Sequence, residues 1–202
     1  MNRIEHACRI GLILVLTLLI IVGCTSAPSP QPTPPTAAPD APHETFVLPA
    51  LSDPAQRDYL GIETTGEFNV AAIRTQVLII EAFSMYCPHC QREAPNVNQL
   101  YRNISEDPYL RNRIKLIGIG VGNTTYEVNQ FRESFEVPFP LFPDRSRDLA
   151  RQLEVRQTPT FIGFVWENGV PRRILHAPGS MGKVGEFLTR VVRLANLEEG
   201  QP

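Results

Sequence analysis

Residues 81–95 read E-A-F-S-M-Y-C-P-H-C-Q-R-E-A-P and overlap the end of a nearly continuous apolar run, Gln76–Phe83. Such a run is typical of a strand that is covered on both faces of its sheet. A helix is predicted to begin at Pro88 and to extend to about Ile104, because the first helical turn tolerates the missing N–H of proline. Cys87 is therefore predicted to lie between a buried strand and the N-terminus of a helix.

Cys87 and Cys90 are the only cysteines in the part of the chain that we expect to fold, since the other two, Cys8 and Cys24, lie near the N-terminus. A disulfide between residues this close in sequence closes almost no loop and removes little entropy from the unfolded chain. Two cysteines also supply only half of the ligands of a structural zinc ion. We therefore predict a redox function with no metal ion and no other cofactor; the alternative is a pair of inert, buried thiols.

The first residues predict a secretory signal. A basic leader precedes the apolar run Ile10–Val22, which is too short to cross a bilayer because a spanning helix needs about 20 residues. The run ends in Val-Gly-Cys24, which resembles the bacterial lipobox; the resemblance implies that residues 1–23 are removed and that Cys24 is lipidated. The alternatives are an ordinary secretory signal and an uncleaved anchor, and both also place the domain outside the cytoplasm.

Composition divides the rest of the chain. Residues 24–43 are rich in proline, alanine, threonine and serine and predict a semi-extended tether between the membrane and the domain. Residues 44–197 are expected to form one domain, and residues 198–202 a short tail. The chain carries 19 Lys and Arg residues against 21 Asp and Glu residues, a formal net charge of -2, and this balance argues against a nucleic-acid partner.

The order of the remaining predicted elements indicates an α/β fold. In chain order, the first three are a strand at Lys115–Val121, a helix from Thr124 to Phe135 and an extended or turning segment at Pro138–Pro143. A helix capped by Asp144 follows and runs to Glu154. The last elements are a hairpin, with strands Phe161–Trp166 and Pro171–His176 joined at Asn168-Gly169, and a helix capped by Ser180 that runs to Leu197. Thr124 and Glu127 have the spacing of a capping box. Helices that alternate with buried strands are typical of a central sheet covered by helices.

Four features together resemble the thioredoxin-like superfamily. They are Glu81 six residues before the first cysteine, the Cys-Pro-His-Cys motif, Pro95 five residues after the second cysteine, and Thr158-Pro159 just before a predicted strand. The strand and helix predicted between the motif and Pro159 resemble the TlpA/ResA-like (redoxin) and peroxiredoxin branches. The resemblance implies a thioredoxin-like sandwich, with a central mixed β-sheet flanked by helices and an extra strand–helix insertion between the Cys-x-x-Cys helix and the cis-proline strand.

The two cysteines are expected to have different roles. Unpaired N–H groups and the helix dipole stabilise a thiolate at a helix N-terminus, so Cys87 is the predicted nucleophile. Cys90, one turn later, can attack Cys87 in a mixed disulfide and release the partner. His89 is expected to add positive charge near the thiolate; the alternative is an exposed helix residue with only a modest effect.

Glu81, Thr158 and Pro159 complete the candidate site. Glu81 is a charged residue in an apolar strand, and buried acids are rare unless they are paired or functional. The resemblance implies that Glu81 exchanges a proton with Cys90; the alternative is an acid at a strand end that reaches solvent. The resemblance also implies a cis-proline at Pro159 beside the cysteines, where the Thr158 backbone would pair with an extended substrate segment. The alternative is an ordinary trans proline.

These expectations combine into an extracytoplasmic thiol–disulfide oxidoreductase that is lipid-anchored on the periplasmic side of a bacterial envelope. Its expected partners are disulfides and thiols of envelope proteins and a membrane electron donor or acceptor. A TlpA/ResA-like scaffold favours reduction or exchange, whereas the Pro-His dipeptide is shared with DsbA-type oxidases. The alternatives are a DsbA-like oxidase, a peroxiredoxin-like peroxidase and, outside enzymes, a copper-binding or assembly lipoprotein with Cys87, Cys90 and His176 as soft ligands.

Overall fold

The computed structural model describes residues 45–167 and 169–197. The predicted signal, the lipidation site Cys24, the tether, Asn168 and the tail lie outside the described residues. Within the described ranges, no helix combines the length and apolarity that crossing a membrane requires.

Strands and helices alternate along most of the described chain. In order they are β1 (Val47–Leu48), α1 (Pro54–Leu60), β2 (Phe68–Asn69), a 3₁₀ turn (Val70–Ala72), β3 (Val77–Phe83), α2 (Pro88–Glu106), β4 (Ile114–Val121), α3 (Thr125–Phe135), β5 (Leu141–Asp144), α4 (Asp148–Gln152), β6 (Thr160–Glu167), β7 (Val170–Pro178) and α5 (Val184–Leu194). The elements before β3 were not among the sequence-based predictions, and β5 overlaps the segment Pro138–Pro143 that was predicted to be extended or turning.

The central sheet has the strand order β5-β4-β3-β6-β7. β3 pairs with β4 in parallel and with β6 in antiparallel orientation, so the sheet is mixed as predicted. Successive residues of β3 enter different cores, with Ile79 and Phe83 on one side and Ile80 and Ala82 on the other. The continuous apolar run is therefore explained by two buried faces, and the predicted central mixed β-sheet is confirmed.

The insertion between α2 and β6 contains a strand–helix unit, β4–α3, as predicted. Thr124 caps α3 by accepting a hydrogen bond from the Glu127 N–H at 3.3 Å, and the Glu127 carboxylate accepts from the Thr124 N–H at 2.7 Å. The predicted capping box is confirmed. β4 and β5 extend the sheet beyond β3, with α3 between them and α4 after β5, before the chain returns to β6.

The predicted hairpin is also confirmed, since β6 and β7 are antiparallel and Glu167 pairs with Val170. The turn contains Gly169 in the left-handed region, with φ of 80°. This conformation suits glycine because it has no Cβ.

The prediction for Asp144 was wrong in position. Asp144 is the last residue of β5, and α4 begins only at Asp148, after the N-cap residue Arg147, and ends at Gln152. Its carboxylate nevertheless accepts hydrogen bonds from backbone N–H groups of α4, those of Leu149 at 3.2 Å and Ala150 at 2.8 Å. Asp144 therefore supplies the capping chemistry from across a turn rather than from the N-cap position.

The prediction that Ser180 caps the last helix was wrong. α5 begins at Val184 after Lys183 and ends at Leu194 rather than at Leu197. The Ser180 hydroxyl instead donates a hydrogen bond to the carboxylate of Glu93 in α2, at 2.8 Å. A partner that is distant in sequence thus competes successfully for this hydroxyl.

Candidate active site

Cys87 is the N-cap residue of α2, and Pro88 occupies the first turn as predicted. Its half-buried Sγ donates a hydrogen bond to the Thr158 carbonyl oxygen at 3.2 Å. Burial raises the pKa of Cys87, but hydrogen bonds with the Thr158 side chain, with the backbone and side chain of Cys90 and with the His89 backbone outweigh burial and hold the pKa below its ordinary value. Cys87 therefore has the environment of a reactive thiol.

Cys90 lies one turn into α2 and is completely buried. Burial raises the pKa of Cys90 well above its ordinary value, and the neighbouring Cys87 and Glu81 raise it further. Both residues are free thiols in this structure. The pair therefore combines an accessible thiol that ionises readily with a buried thiol that stays protonated.

The Thr158–Pro159 peptide bond is cis, and it immediately precedes β6. The Thr158 carbonyl reaches the Cys87 Sγ, and the Pro159 carbonyl accepts a hydrogen bond from the Gly179 N–H at 2.8 Å. The predicted cis-proline is thus present beside the nucleophile. The pairing of Thr158 with a substrate stays a prediction.

Glu81 is buried in the middle of the sheet, with only 1 % of its surface exposed. It pairs with Gly118 of β4 and Phe161 of β6, so the alternative of a strand-end acid that reaches solvent is wrong. Its Oε1 has no hydrogen-bond partner among the described residues. Burial raises the pKa of Glu81 from 4.5 to about 8, with further contributions from the charges of Glu93 and Cys87.

A second buried acid, Glu93, was missed by the sequence analysis. It is 5 % exposed, and its carboxylate accepts hydrogen bonds from the Ser180 hydroxyl at 2.8 Å and the Met181 N–H at 3.1 Å. The sequence contains a signal for it, because Glu93 follows Cys90 by one turn and adjoins the apolar residue Ala94. An acid on the buried face of the motif helix is as exceptional as one in the central strand.

His89 is exposed, and its Nδ1 lies 3.0 Å from Nη2 of Arg92. A guanidinium group has only donors, so Nδ1 accepts this bond. Arg92 places a positive charge next to the motif, and the His89 backbone N–H donates a hydrogen bond that lowers the pKa of Cys87. The influence of the His89 side chain on the thiolate stays a prediction.

This geometry can be compared with known proteins. The model of a family described as AhpC/TSA matches residues 46–178, which include Cys87, Cys90 and Pro159. The chain belongs to the AhpC/TSA family. Among curated relatives, it is 26% identical over 117 residues to the thiol-disulfide oxidoreductase ResA of Geobacillus kaustophilus. The match covers 58% of this chain and 63% of that relative's length.

Solved structures show the same fold as this AhpC/TSA-family chain. A secreted disulfide oxidoreductase of Mycobacterium tuberculosis, described as homologous to E. coli DsbE, superimposes with a TM-score of 0.53 at 16% identity, covering 73% of this chain and 95% of that one. A thioredoxin-like protein from Aeropyrum pernix has a TM-score of 0.52 at 15% identity, with coverages of 74% and 89%. At such identities the likeness is one of fold.

Two side chains outside the motif hold the loop that precedes the nucleophile in this AhpC/TSA-family member. Asn123 is fully buried, and its Oδ1 accepts a hydrogen bond from the Met85 N–H at 2.8 Å. The Tyr86 hydroxyl donates to the Glu127 carboxylate, although 68% of Tyr86 is exposed. Both contacts join residues about forty positions apart in sequence, so sequence patterns did not indicate them.

Copper binding, one of the alternatives, needs a cluster of ligands. The described residues contain no cluster of three or more His, Cys, Asp and Glu side chains that could hold an ion. His176 is exposed on β7 and lines a cleft with Arg156 and Pro178, whereas Cys87 lines another cleft. The fold therefore does not bring His176 into the same cleft as the nucleophile.

Proposed function

We propose that this chain is a thiol–disulfide oxidoreductase acting through Cys87 and Cys90. The observation that carries the proposal is the contrast between the two thiols: Cys87 is accessible with a lowered pKa, and Cys90 is buried with a raised pKa. The similarity to proteins named as thiol-disulfide oxidoreductases supports the same reaction.

The proposed reduction proceeds in two exchange steps. The Cys87 thiolate attacks one sulfur of a partner disulfide, which forms a mixed disulfide and releases the other partner sulfur as a thiolate. Cys90 then loses its proton and attacks the Cys87 sulfur, which releases the second partner thiol and leaves a Cys87–Cys90 disulfide. Two electrons pass to the partner, and we propose that the ionised form of Glu81 accepts the Cys90 proton; the electrostatic effect of Glu81 on the Cys90 thiol supports this role.

Insulin reduction with dithiothreitol as the electron source tests the activity. Wild type should accelerate precipitation of the insulin B chain, and Cys87→Ser should abolish the acceleration. In a separate reaction without dithiothreitol, pre-reduced Cys90→Ser should accumulate a mixed disulfide with insulin that survives denaturation and is cleaved when reductant is added. Equal trapping by Cys87→Ser and Cys90→Ser would contradict the assigned roles.

For the direction of electron flow we propose disulfide reduction or exchange, on the basis of the similarity to ResA. The measurement is the reduction potential of the Cys87–Cys90 pair. A value below about −200 mV favours a reductase, whereas a value near that of DsbA, about −120 mV, favours an oxidase. Peroxide consumption with a thiol donor is the control for the peroxidase alternative, and turnover of hydrogen peroxide as fast as that of insulin disulfides would favour it.

We also propose that the chain is lipidated at Cys24 and acts on envelope proteins, with electrons supplied or removed by a membrane partner. The support is the lipobox-like Val-Gly-Cys24 after a short apolar run and the proline-rich segment that follows it. Mass spectrometry of the mature N-terminus decides this point. A diacylated Cys24 is expected; an unmodified Cys24 or a retained Met1 would contradict the proposal.

A further inference from the structure

A cleft of about 260 Å³ opens beside Cys87. Its described lining consists of Ser84, Tyr86, Cys87, Val121, Arg147, Val155, Gln157 and Thr158. Arg147 is the one arginine or lysine in that lining, and neither aspartate nor glutamate is part of it. The lining of this cleft is therefore neutral except for one guanidinium group and the thiol itself.

The Arg147 side chain has no hydrogen-bond or ion-pair partner among the described residues, although two acids lie close in sequence. The Asp144 carboxylate is buried and accepts hydrogen bonds from the backbone of α4. The Asp148 carboxylate accepts from Arg151 and from the Ser146 hydroxyl. Both acids near Arg147 are thus occupied, and its guanidinium remains available to a partner.

The position of Arg147 is fixed by the backbone. It adopts the left-handed conformation, with φ of 62°, at the turn between β5 and α4. Its N–H donates to the Asp144 carbonyl at 3.1 Å, and its side-chain stem lies over Gly122. On the other side of the cleft, the hydrogen bond between Tyr86 and Glu127 fixes the wall. The backbone and the stem of Arg147 are thus held at the cleft, whereas its guanidinium group is exposed.

The charge of Arg147 does not serve mainly to activate the nucleophile. The groups that lower the pKa of Cys87 are Thr158 and the backbone at Cys90 and His89. A guanidinium that faces the reaction cleft, but that the thiolate does not require, suits a group on the partner. Carboxylates match its geometry with two parallel hydrogen bonds.

We propose that Arg147 forms a carboxylate subsite, so that Cys87 reacts preferentially with disulfides whose cysteine is flanked by Asp or Glu. The inference rests on the proposed exchange activity and names the class of partner segment: an extended, acidic one that lies between Thr158 and Arg147. Arg147 is a specificity residue here, since it contacts the partner's side chain and not the reacting sulfur atoms.

The test uses acetylated and amidated peptides Gly-Ser-X-Cys-X-Ser-Gly as disulfide dimers, with X as Asp, Asn or Lys. The reduced full chain reacts with each dimer, and second-order rates are compared for wild type, Arg147→Gln and Arg147→Lys. Arg111→Gln is the matched control, because it removes the same charge from an exposed site before β4, at the opposite end of the sheet from Cys87. Effects of X on the peptide's own thiol chemistry cancel when ratios are compared between variants.

The Asp-to-Asn rate ratio should fall about threefold to fivefold in Arg147→Gln, as expected for one partly exposed ion pair. It should be largely retained in Arg147→Lys and unchanged in Arg111→Gln, and 0.5 M salt should reduce it in wild type, since salt at about that concentration screens exposed charges strongly. An unchanged ratio in Arg147→Gln, or an equal fall in Arg111→Gln, would overturn the proposal.

A second readout is independent of disulfide exchange. Iodoacetate and iodoacetamide alkylate the same Cys87 thiolate but differ in charge, and the variants are compared in a Cys90→Ser background. The ratio of the iodoacetate rate to the iodoacetamide rate is independent of any change in the Cys87 pKa. This ratio should fall about threefold in Arg147→Gln only. If wild type reduces none of the peptides, the proposed activity fails, and this ratio still decides the subsite. An unchanged ratio refutes the subsite even where exchange is active.

Discussion

Replacement of Glu81 by glutamine should change how the stability of the fold depends on pH. The Glu81 carboxyl is 1 % exposed, one of its oxygens has no hydrogen-bond partner among the described residues, and its pKa is raised from 4.5 to about 8. Because the folded state binds this proton more tightly than the unfolded state does, the contribution to stability is complete below pH 4.5. It is lost as the pH rises through about 8.

The size of the change in stability follows from the difference between the two pKa values of Glu81, 4.5 in the unfolded chain and about 8 in the fold. One pH unit corresponds to about 1.4 kcal/mol, so the free energy of unfolding should fall by roughly 5 kcal/mol between pH 4.5 and 8 through this group alone. Glutamine cannot ionise, so Glu81→Gln removes this decrease. The stability of the variant relative to its parent should therefore increase with pH and become constant above about pH 8. A constant offset is also expected, since the new amide needs partners in a buried site.

Urea unfolding at pH 5, 6, 7, 8 and 9 measures this difference. Both proteins should carry Cys87→Ser and Cys90→Ser, because the two thiols also titrate and would add their own pH dependence. Burial and Glu93 still raise the pKa of Glu81 in that background. A difference between variant and parent that stays the same from pH 5 to 9 would refute the argument that Glu81 is protonated in the fold at neutral pH.

Four further predictions concern the chemistry of the site. Iodoacetamide at pH 7 should modify Cys90→Ser, which retains Cys87, about tenfold or more faster than Cys87→Ser; equal rates would contradict the role assignment. His89→Ala should retain exchange activity and make the reduction potential more negative by at most about 30 mV, which corresponds to about 1.4 kcal/mol; loss of activity would show an indispensable role. Glu93→Gln should lower the pKa of Glu81, because the Glu93 charge raises it. In the same urea experiment, the free energy of unfolding should therefore stop decreasing at a lower pH. Glu81→Gln should slow the step in which Cys90 releases a partner from its mixed disulfide with Cys87 by roughly a hundredfold, and an unchanged rate would exclude proton transfer from Cys90 to Glu81.

The parts of the fold that the sequence indicated correctly depend on neighbours in the chain. The capping box at Thr124 requires only Glu127, three residues later, and it forms as expected. The strand around Glu81 was recognisable because its other residues are apolar, as expected when both sheet faces are buried. The hairpin of β6 and β7 was predicted from its two-residue turn.

The errors concern side chains whose partners are distant in sequence. Ser180 resembles an N-cap residue, but its hydroxyl bonds to Glu93, 87 positions earlier. Asp144 caps α4 from the end of β5, an arrangement that needs the left-handed Arg147 between them. Local patterns cannot rank such contacts against local ones, because their formation depends on how the helices pack against the sheet. The unpaired charge of Arg147 could not be predicted for the same reason.

The burial of Glu81 has a cost in stability and, in the proposed reaction, a chemical use. Cys90 must lose a proton before it can attack the mixed disulfide, and its own raised pKa makes spontaneous loss slow. An acid with an ordinary pKa near 4.5 would hold almost no proton at pH 7 and would be a weak base for a thiol. A carboxyl with a pKa of about 8 is mostly protonated at pH 7, and its ionised fraction, about one in ten, is a stronger base for a thiol than an ordinary carboxylate. The burial that makes Glu81 lower the stability of the fold above pH 4.5 therefore also gives it the pKa that the proposed proton acceptor for Cys90 needs.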